Sequence, residues 1–355
     1  MPLLATYLQN LWDIRSPGAI LAPLAVTYYV TQQCNLNCVY CEDFGVSRNV
    51  GNLAHTNLET VQRILTIIRQ AADRLILTGG EPLLHPQLQD ILSYARGDLK
   101  FREITLLSNG LALRNKPGIL EHIDRLLISL DSTDPATWHT LVGAAREQAE
   151  RIMDNIAWAA SQQRARRFQM VVNCVLTRET LGDVDTLLKF CREHAILISF
   201  SPQSVQNWPD YGLIMSPEYQ SVIRRIIALK QQGSPILASH TYLKTLESIT
   251  PYTCHPTLIP RVLPDGGLIY PCRPIQRDGN SRGGSAVNLL TSGSLKDALR
   301  LAAQMYGSPP ETCSSCFQQC YAEASLMQER PFDYLLELLR YAPVRRGGLV
   351  TFAPG

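Results

Sequence analysis

The chain carries little charge. Only 18% of its 355 residues are Asp, Glu, Lys or Arg, and 33 basic against 31 acidic residues leave a formal net charge of +2. So balanced a composition implies no nucleic-acid partner. Long apolar runs are missing as well. The longest mostly apolar stretch, residues 18–30, is interrupted by Pro23 and is shorter than the roughly 20 residues a membrane span needs. No Lys or Arg precedes the first apolar residues, and Asp13 and Arg15 break the run. No secretory signal is therefore expected, and the cytoplasm is the expected compartment. Internal repeats and low-complexity tracts are absent. With 45% apolar residues the chain can nonetheless bury a real core, and its length suits two domains or one large barrel.

Ten cysteines stand out against this background. A reducing compartment excludes a disulfide framework. Eight of them fall into two groups: Cys34, Cys38 and Cys41, then Cys254, Cys272, Cys313, Cys316 and Cys320. Grouped thiols in such a compartment point to metal. Cys174 and Cys191 lie in apolar surroundings and read as core.

Hydrophobic periodicity predicts strands at 24–30, 75–77, 104–107, 126–130, 170–176 and 196–200. It predicts helices at 58–69, 88–94, 144–162, 184–194 and 217–231. Such alternation argues for an α/β protein with a parallel sheet. Six units resemble a partial (β/α)6 TIM-like barrel, with an open two-faced sheet as the alternative. Either fold puts its site at the C-terminal strand ends, where Cys34, Gly79, Asn109, Asp131 and Ser201 fall. After residue 250 the texture turns Pro-, Gly- and Cys-rich, and such a segment needs a staple that metal would supply. The expected organisation is a core at 1–216, a helical link at 217–250, a cluster domain at 251–330, and a C-terminal helix and tail at 331–355.

Two stretches have an apolar helical face. One is 2–12, with Leu3, Leu4, Tyr7, Leu8, Leu11 and Trp12. The other is 332–341, with Leu335, Leu336, Leu338 and Leu339. Both are expected to pack on the protein, with contact to a membrane surface as the alternative. Arg164, Arg166 and Arg167 sit at a helix end, where cations complement the dipole.

Cys34-x3-Cys38-x2-Cys41 puts three thiols on one loop after a strand. Three ligands on a four-iron cluster leave one iron open. Zinc would want a fourth ligand, for which His55, Glu42 and Asp43 are nearest. Gly79-Gly80-Glu81-Pro82 ends the second strand. Its glycines would let a ligand approach, and its carbonyls and carboxylate would accept bonds from an ammonium. An ordinary βα turn is the alternative.

Together, CNLNCVYC (34–41) and TGGEP (78–82), in that order on successive strands, resemble the radical S-adenosylmethionine (radical SAM) superfamily. Ser108-Asn109-Gly110 and Ser129-Leu130-Asp131-Ser132 extend the match, which covers about 26–201. The resemblance implies an enzyme of oxidoreductase or transferase type. Cys34, Cys38 and Cys41 would hold a four-iron four-sulfur cluster whose open iron chelates SAM. Gly79, Gly80 and Glu81 would cradle the SAM ammonium, and Tyr40 would lie near the adenine. Asn109, Ser129, Asp131 and Asn173 would touch the rest of SAM, with turn chemistry or strand-end capping as their alternative. Electron transfer to the sulfonium would release a 5′-deoxyadenosyl radical that takes a substrate hydrogen. An electron donor such as flavodoxin or ferredoxin is implied.

The run from Cys254 to Gly267 to Cys272, then Cys313-x2-Cys316-x3-Cys320, resembles the C-terminal SPASM/twitch extensions of this superfamily. Full SPASM domains carry seven cysteines and two clusters, so five suit one auxiliary four-iron cluster closed by four thiolates. Cys254 and Cys272 are expected ligands, while Cys313, Cys316 and Cys320 compete for two places. A structural zinc site is the alternative. The auxiliary cluster would complete an oxidation or bond-forming change of a small metabolite or natural product. A peptide or protein substrate is the alternative, and a non-catalytic electron carrier a more distant one. Arg178, Gln203 and Tyr242 are read as solvated surface residues that could otherwise meet substrate. One family member, which rearranges GTP, ends in Gly-Gly. Gly347-Gly348 is internal here, which points away from that specific reaction.

Overall fold

A computed structural model of the chain describes residues 3–16, 19–44, 55–205, 208–277, 283–308, 316–340, 344–346 and 349–351, with side chains through 337. After a first helix α1 (Leu3–Asp13), six strands follow in order: β1 (Val26–Thr31), β2 (Arg74–Gly79), β3 (Glu103–Ser108), β4 (Arg125–Ser129), β5 (Gln169–Leu176) and β6 (Leu197–Pro202). All pair in parallel with their sequence neighbours, which is the curved sheet of a TIM-like partial barrel. Every expected strand is present, shifted by a residue or two. Past β1, strand Arg261–Val262 joins in parallel, and Leu268–Ile269 pairs antiparallel with that strand. The cysteine-rich segment therefore extends the barrel sheet itself.

Helices α2 (Leu58–Ala71), α3 (Leu88–Gly97), α4 (Pro135–Val142), α5 (Arg146–Arg166) and α6 (Val184–Glu193) cover the outer face. α2 shows why these form. Asn57 caps it by accepting from Thr60 N–H at 2.9 Å, Glu59 and Arg69 suit its two dipole ends, and Val61, Ile64, Leu65 and Ile68 are buried. α4 is absent from the sequence-based expectation. Its signals are a cap at Asp134, Pro135 at its first turn, and Gly143 in the left-handed region at φ 62.

The strands are two-sided. Leu75, Leu77, Ile104, Leu106, Leu126, Ile128, Val172, Cys174, Ile198 and Phe200 are buried in the main core. The alternate positions carry Thr27, Thr78, Thr105, Asn173, Ser199 and Ser201, and these line a cavity of about 900 Å³. The barrel interior is thus a partly polar chamber. Helix Gln319–Glu329, buried at Tyr321, Ala322, Ala324, Ser325, Leu326 and Gln328, contributes Gln319, Cys320, Glu323, Ala324 and Met327 to its wall.

α1 corrects an expectation. Its buried residues are Thr6 and Asn10, while Leu3, Leu4, Leu8 and Trp12 are exposed. Polar bonds dock the helix. The Asn10 amide donates to Ala22 C=O and accepts from Ala22 N–H, both at 2.8 Å, and Tyr7 Oη donates to Met327 C=O at 2.8 Å. Helix Pro331–Arg340 likewise exposes Phe332, Leu335 and Leu336. Among the described residues, no helix is long and apolar enough to cross a membrane.

Candidate active site

The loop after β1 carries Cys34, Cys38 and Cys41, all half-buried. Several elements pin it. Gly80 N–H donates to Thr31 C=O at 3.1 Å and Glu81 N–H to Gln33 C=O at 2.7 Å. A Cβ at Gly80 would stand 2.2 Å from Gln33 O, and one at Gly79 2.3 Å from Thr31 O. The two glycines therefore serve close backbone packing against the residues that deliver Cys34. From β3, Asn109 Nδ2 donates to Asn35 Oδ1 at 2.7 Å. From the end of α4, Val142 and Leu141 carbonyls accept from Asn37 N–H at 2.9 Å and Val39 N–H at 2.8 Å. From beyond β4, Asp131 accepts the Tyr40 hydroxyl.

Burial raises the Cys34 thiol to about 11, with the nearby charges of Glu81 and Cys41 adding to the shift. Cys38 rises to about 12, again first by burial and then by Cys41, Asp131 and Cys34. The three sulfurs are within electrostatic reach of one another, and Cys34 and Cys38 resist becoming thiolates there. A cationic iron cluster is the kind of group that such a donor set fits.

Glu81 departs from its expected role. Its side chain is fully buried. Oε1 accepts from Leu83 N–H and Ser108 Oγ, both at 2.9 Å, and Oε2 from Asn109 N–H at 2.7 Å. Burial outweighs these bonds and lifts the carboxyl to about 7. The carboxylate ties the β2 turn to the β3 turn, which leaves backbone groups of Gly79 and Gly80 for any ammonium. Asp131 is similar. It is buried, accepts from Val175 N–H at 2.8 Å as well as from Tyr40, and is raised to about 6 by burial. Asn109 accepts from Leu111 N–H at 3.1 Å while donating to Asn35, so turn chemistry accounts for it. Ser129 is exposed at the end of β4 and pairs in register with Asn173, which lines the chamber.

Of the second group, Cys254, Cys272 and Cys316 are buried and Cys320 is exposed; Cys313 lies outside the described residues, as do Gly347 and Gly348. Tyr252 lies within electrostatic reach of Cys316 and Cys254, and Tyr321 of Cys272 and Cys320. The buried Tyr321 hydroxyl and Arg261 Nε find no hydrogen-bond partner among the described residues. Unpaired donors beside thiols fit a sulfide-bearing cluster, whose sulfurs accept hydrogen bonds. Among the described residues, no three His, Cys, Asp or Glu side chains stand close enough to share one metal ion. A four-iron cluster spreads its thiolates wider than a single ion does.

The chamber extends from the first cysteine loop to the helix that carries Cys320. Tyr40 and Glu42 of the first loop line it, and so do Gln319 and Cys320. Arg273, beside Cys272, reaches Asp43 of the first loop at 3.0 Å. Arg178 is exposed and pairs with Asp210 at 3.3 Å. Tyr242 is fully buried and donates to Phe317 C=O at 2.8 Å, so it is a core residue and not a solvated one. Cys174 and Cys191 are buried in the core. The chamber-lining residues Thr27, Thr78, Thr105 and Ser199 were missed. Their signal is a small polar residue that recurs at alternate positions of otherwise apolar strands.

Solved structures share this fold. anSMEcpe with bound AdoMet superposes with a TM-score of 0.60 at 14% identity, covering 89% of this chain and 95% of that one. SuiB of Streptococcus suis, bound to S-adenosylmethionine, gives 0.53 at 19%, covering 70% and 60%. Curated relatives include the GTP 3',8-cyclase of Mycobacterium sp. (strain KMS), 31% identical over 186 residues, or 50% of each chain. The "Probable GTP 3',8-cyclase" of Methanopyrus kandleri is 26% identical over 271 residues, covering 72% of this chain and 84% of the relative. This chain spans about half the length of several such relatives. The family model described as Radical SAM superfamily matches residues 28–243, a span that contains the whole barrel apart from the first two residues of β1 together with the loop and turns assembled above. The chain therefore belongs to the radical SAM superfamily.

Proposed function

We propose that the protein oxidises or forms a bond in a small molecule held in the barrel chamber, with help from an auxiliary iron–sulfur cluster. One observation carries this reading: a single cavity of about 900 Å³ is lined by Tyr40 and Glu42, which flank Cys41, and by Cys320 of the second group, and that volume suits a small-molecule ligand. When bound, a four-iron cluster with SAM on its open iron supplies a carbon-centred radical by one-electron reduction of the sulfonium. Cys34, Cys38 and Cys41 are its proposed ligands. Backbone groups of Gly79 and Gly80 receive the SAM ammonium, while Tyr40, Ser129 and Asn173 meet its adenosyl part. Glu81, Asn109 and Asp131 hold the loop and turns in place. The chamber walls orient substrate and exclude water from the radical.

Residues 1–216 form the proposed radical core, with 217–250 as the link. Cys254 and Cys272, with two of Cys313, Cys316 and Cys320, close the proposed auxiliary cluster in 251–330. Residues 331–355 are the proposed C-terminal helix and tail, and the cytoplasm is the proposed compartment.

GTP is a second reading, favoured by the names of the curated relatives. The chamber's charges speak against a triphosphate. Arg74 and Arg125 both pair with Glu103 at 3.2 Å, and Lys230 pairs with Glu337 at 3.1 Å. Cations so engaged are poor phosphate ligands. A peptide is the remaining alternative.

The test is anaerobic reconstitution, reduction with dithionite, and assay for 5′-deoxyadenosine from SAM. No 5′-deoxyadenosine would sink the enzyme reading. About eight irons per chain supports two clusters, and about four plus zinc removes the auxiliary one. GTP that stimulates SAM cleavage and is itself consumed would replace the present reading with the second.

A further inference from the structure

Arg261 differs from the other cations of the chamber wall. Arg74, Arg125 and Lys230 each have a carboxylate partner. Among the described residues, Arg261 has none. Its Nη2 donates to Cys320 Sγ at 3.2 Å, its Nη1 donates to Tyr29 Oη at 2.9 Å, and its guanidinium lies 4.7 Å from the Tyr321 ring centre. Nε is buried without a partner. A guanidinium withdrawn from water needs a counter-charge, and the Cys320 sulfur at 3.2 Å is the group that would supply one as a cluster ligand.

Its position is fixed from the backbone up. Arg261 lies on the strand that pairs with β1, opposite Thr27. That register turns its side chain into the chamber beside Tyr29. Tyr29 in turn forms a small core cluster with Phe44 and Ile269, against which Cys34 and Cys41 of the first loop pack. One side chain therefore connects the wall behind the first cysteine group to the exposed thiol of the second.

We infer that Arg261 is a positioning residue for the auxiliary cluster: it selects Cys320 as a cluster ligand and raises the cluster's reduction potential through a charged hydrogen bond to that sulfur. This rests on the auxiliary-cluster reading above. A cluster with four thiolates carries net negative charge, and reduction adds one more electron. A cation donating to a ligand sulfur favours the reduced state. Anion binding from the substrate is the rival use of Arg261. It is disfavoured because both Nη groups are already engaged and Nε is buried.

The experiment uses the reconstituted full chain and the variants Arg261→Lys, Arg261→Met and Cys320→Ser. Iron per chain is counted, and clusters are titrated potentiometrically with EPR detection. The auxiliary signal is the one that SAM leaves unchanged. In Arg261→Met the auxiliary midpoint should fall by at least a tenfold shift in the redox equilibrium, 59 mV for a one-electron couple. Arg261→Lys, which keeps the charge, should shift it by less. Cys320→Ser should lose or alter the same signal. Loss of auxiliary iron in Arg261→Met but not in Arg261→Lys would also support the inference. A full iron count with an unmoved midpoint in Arg261→Met would overturn it, as would a changed substrate KM with no change in potential. A wild-type chain with only about four irons and no SAM-insensitive signal would instead remove the auxiliary-cluster reading itself.

Discussion

Gly80→Ala should destabilise the protein through the cysteine loop. The added methyl carbon would lie 2.2 Å from Gln33 O, 2.5 Å from Gln33 C and 2.9 Å from Gln32 O, all backbone atoms. Ordinary contact begins near 3.4 Å, so the β2 turn and the loop must part by about 1 Å. Overpacking of that kind costs about 1–3 kcal/mol. The Glu81 N–H to Gln33 C=O bond of 2.7 Å spans the same contact, and its loss adds about 0.5–1.5 kcal/mol. The sum is about 1.5–4.5 kcal/mol. Gly97→Ala is the control. It closes α3, no atom lies within 4 Å of its added carbon, and alanine there should stabilise by about 0.5–1 kcal/mol. Urea unfolding of the iron-free chain measures both, and iron uptake on anaerobic reconstitution measures the consequence for the loop. Opposite signs are expected, with Gly80→Ala taking up less iron because Gln33 precedes Cys34. A Gly80→Ala midpoint equal to wild type, or full iron uptake beside a large loss of stability, would refute the link between this turn and the cysteine loop.

Other outcomes follow from the same geometry. The Asp131 carboxyl is raised from 3.8 to about 6, so the folded state holds its proton more tightly than the unfolded one. Its contribution is present below about pH 4 and lost as pH rises through about 6, on the order of 3 kcal/mol. In the iron-free chain, wild type should therefore lose ground to Asp131→Asn across that window in urea melts, and a pH-independent difference would contradict it. Asn10→Ala removes both bonds to Ala22 and should cost about 1–3 kcal/mol, while Leu8→Ser on the exposed face should change stability by less than about 0.5 kcal/mol, again read by urea. Cys174→Ala and Cys191→Ala should keep the wild-type iron count. Cys254→Ala or Cys272→Ala should remove about four irons and leave SAM cleavage measurable.

The barrel was legible because its two periods are distinct. Apolar runs such as Leu75 to Leu77 and Ile104 to Leu107 could only be strands between helical patterns, and each lies where it was expected. That Cys34, Cys38 and Cys41 share one loop was legible for a similar reason, since only eight residues span them. What could not be read was direction. Whether Glu81 faces a ligand or the core depends on where Leu83 N–H, Ser108 Oγ and Asn109 N–H stand, and two of these come from another strand end. The same holds for Asp131, whose partners Tyr40 and Val175 are far away in sequence.

α1 illustrates the point from the other side. Its apolar face gave the expectation of packing, yet Asn10 decides the docking because its amide satisfies both backbone groups of Ala22 at once. A buried polar group must find partners, and so it ranks neighbours more sharply than an apolar one, which accepts any oily surface. Arg261 obeys the same rule in the chamber. With no carboxylate partner among the described residues, its charge makes Cys320 distinct from Cys254, Cys272 and Cys316, a distinction that spacing alone left open. The polar residues on alternate strand positions extend the rule to the whole wall. Thr27, Thr78, Thr105, Asn173 and Ser199 are unsuited to a filled barrel core and suited to a chamber that holds a partly polar guest.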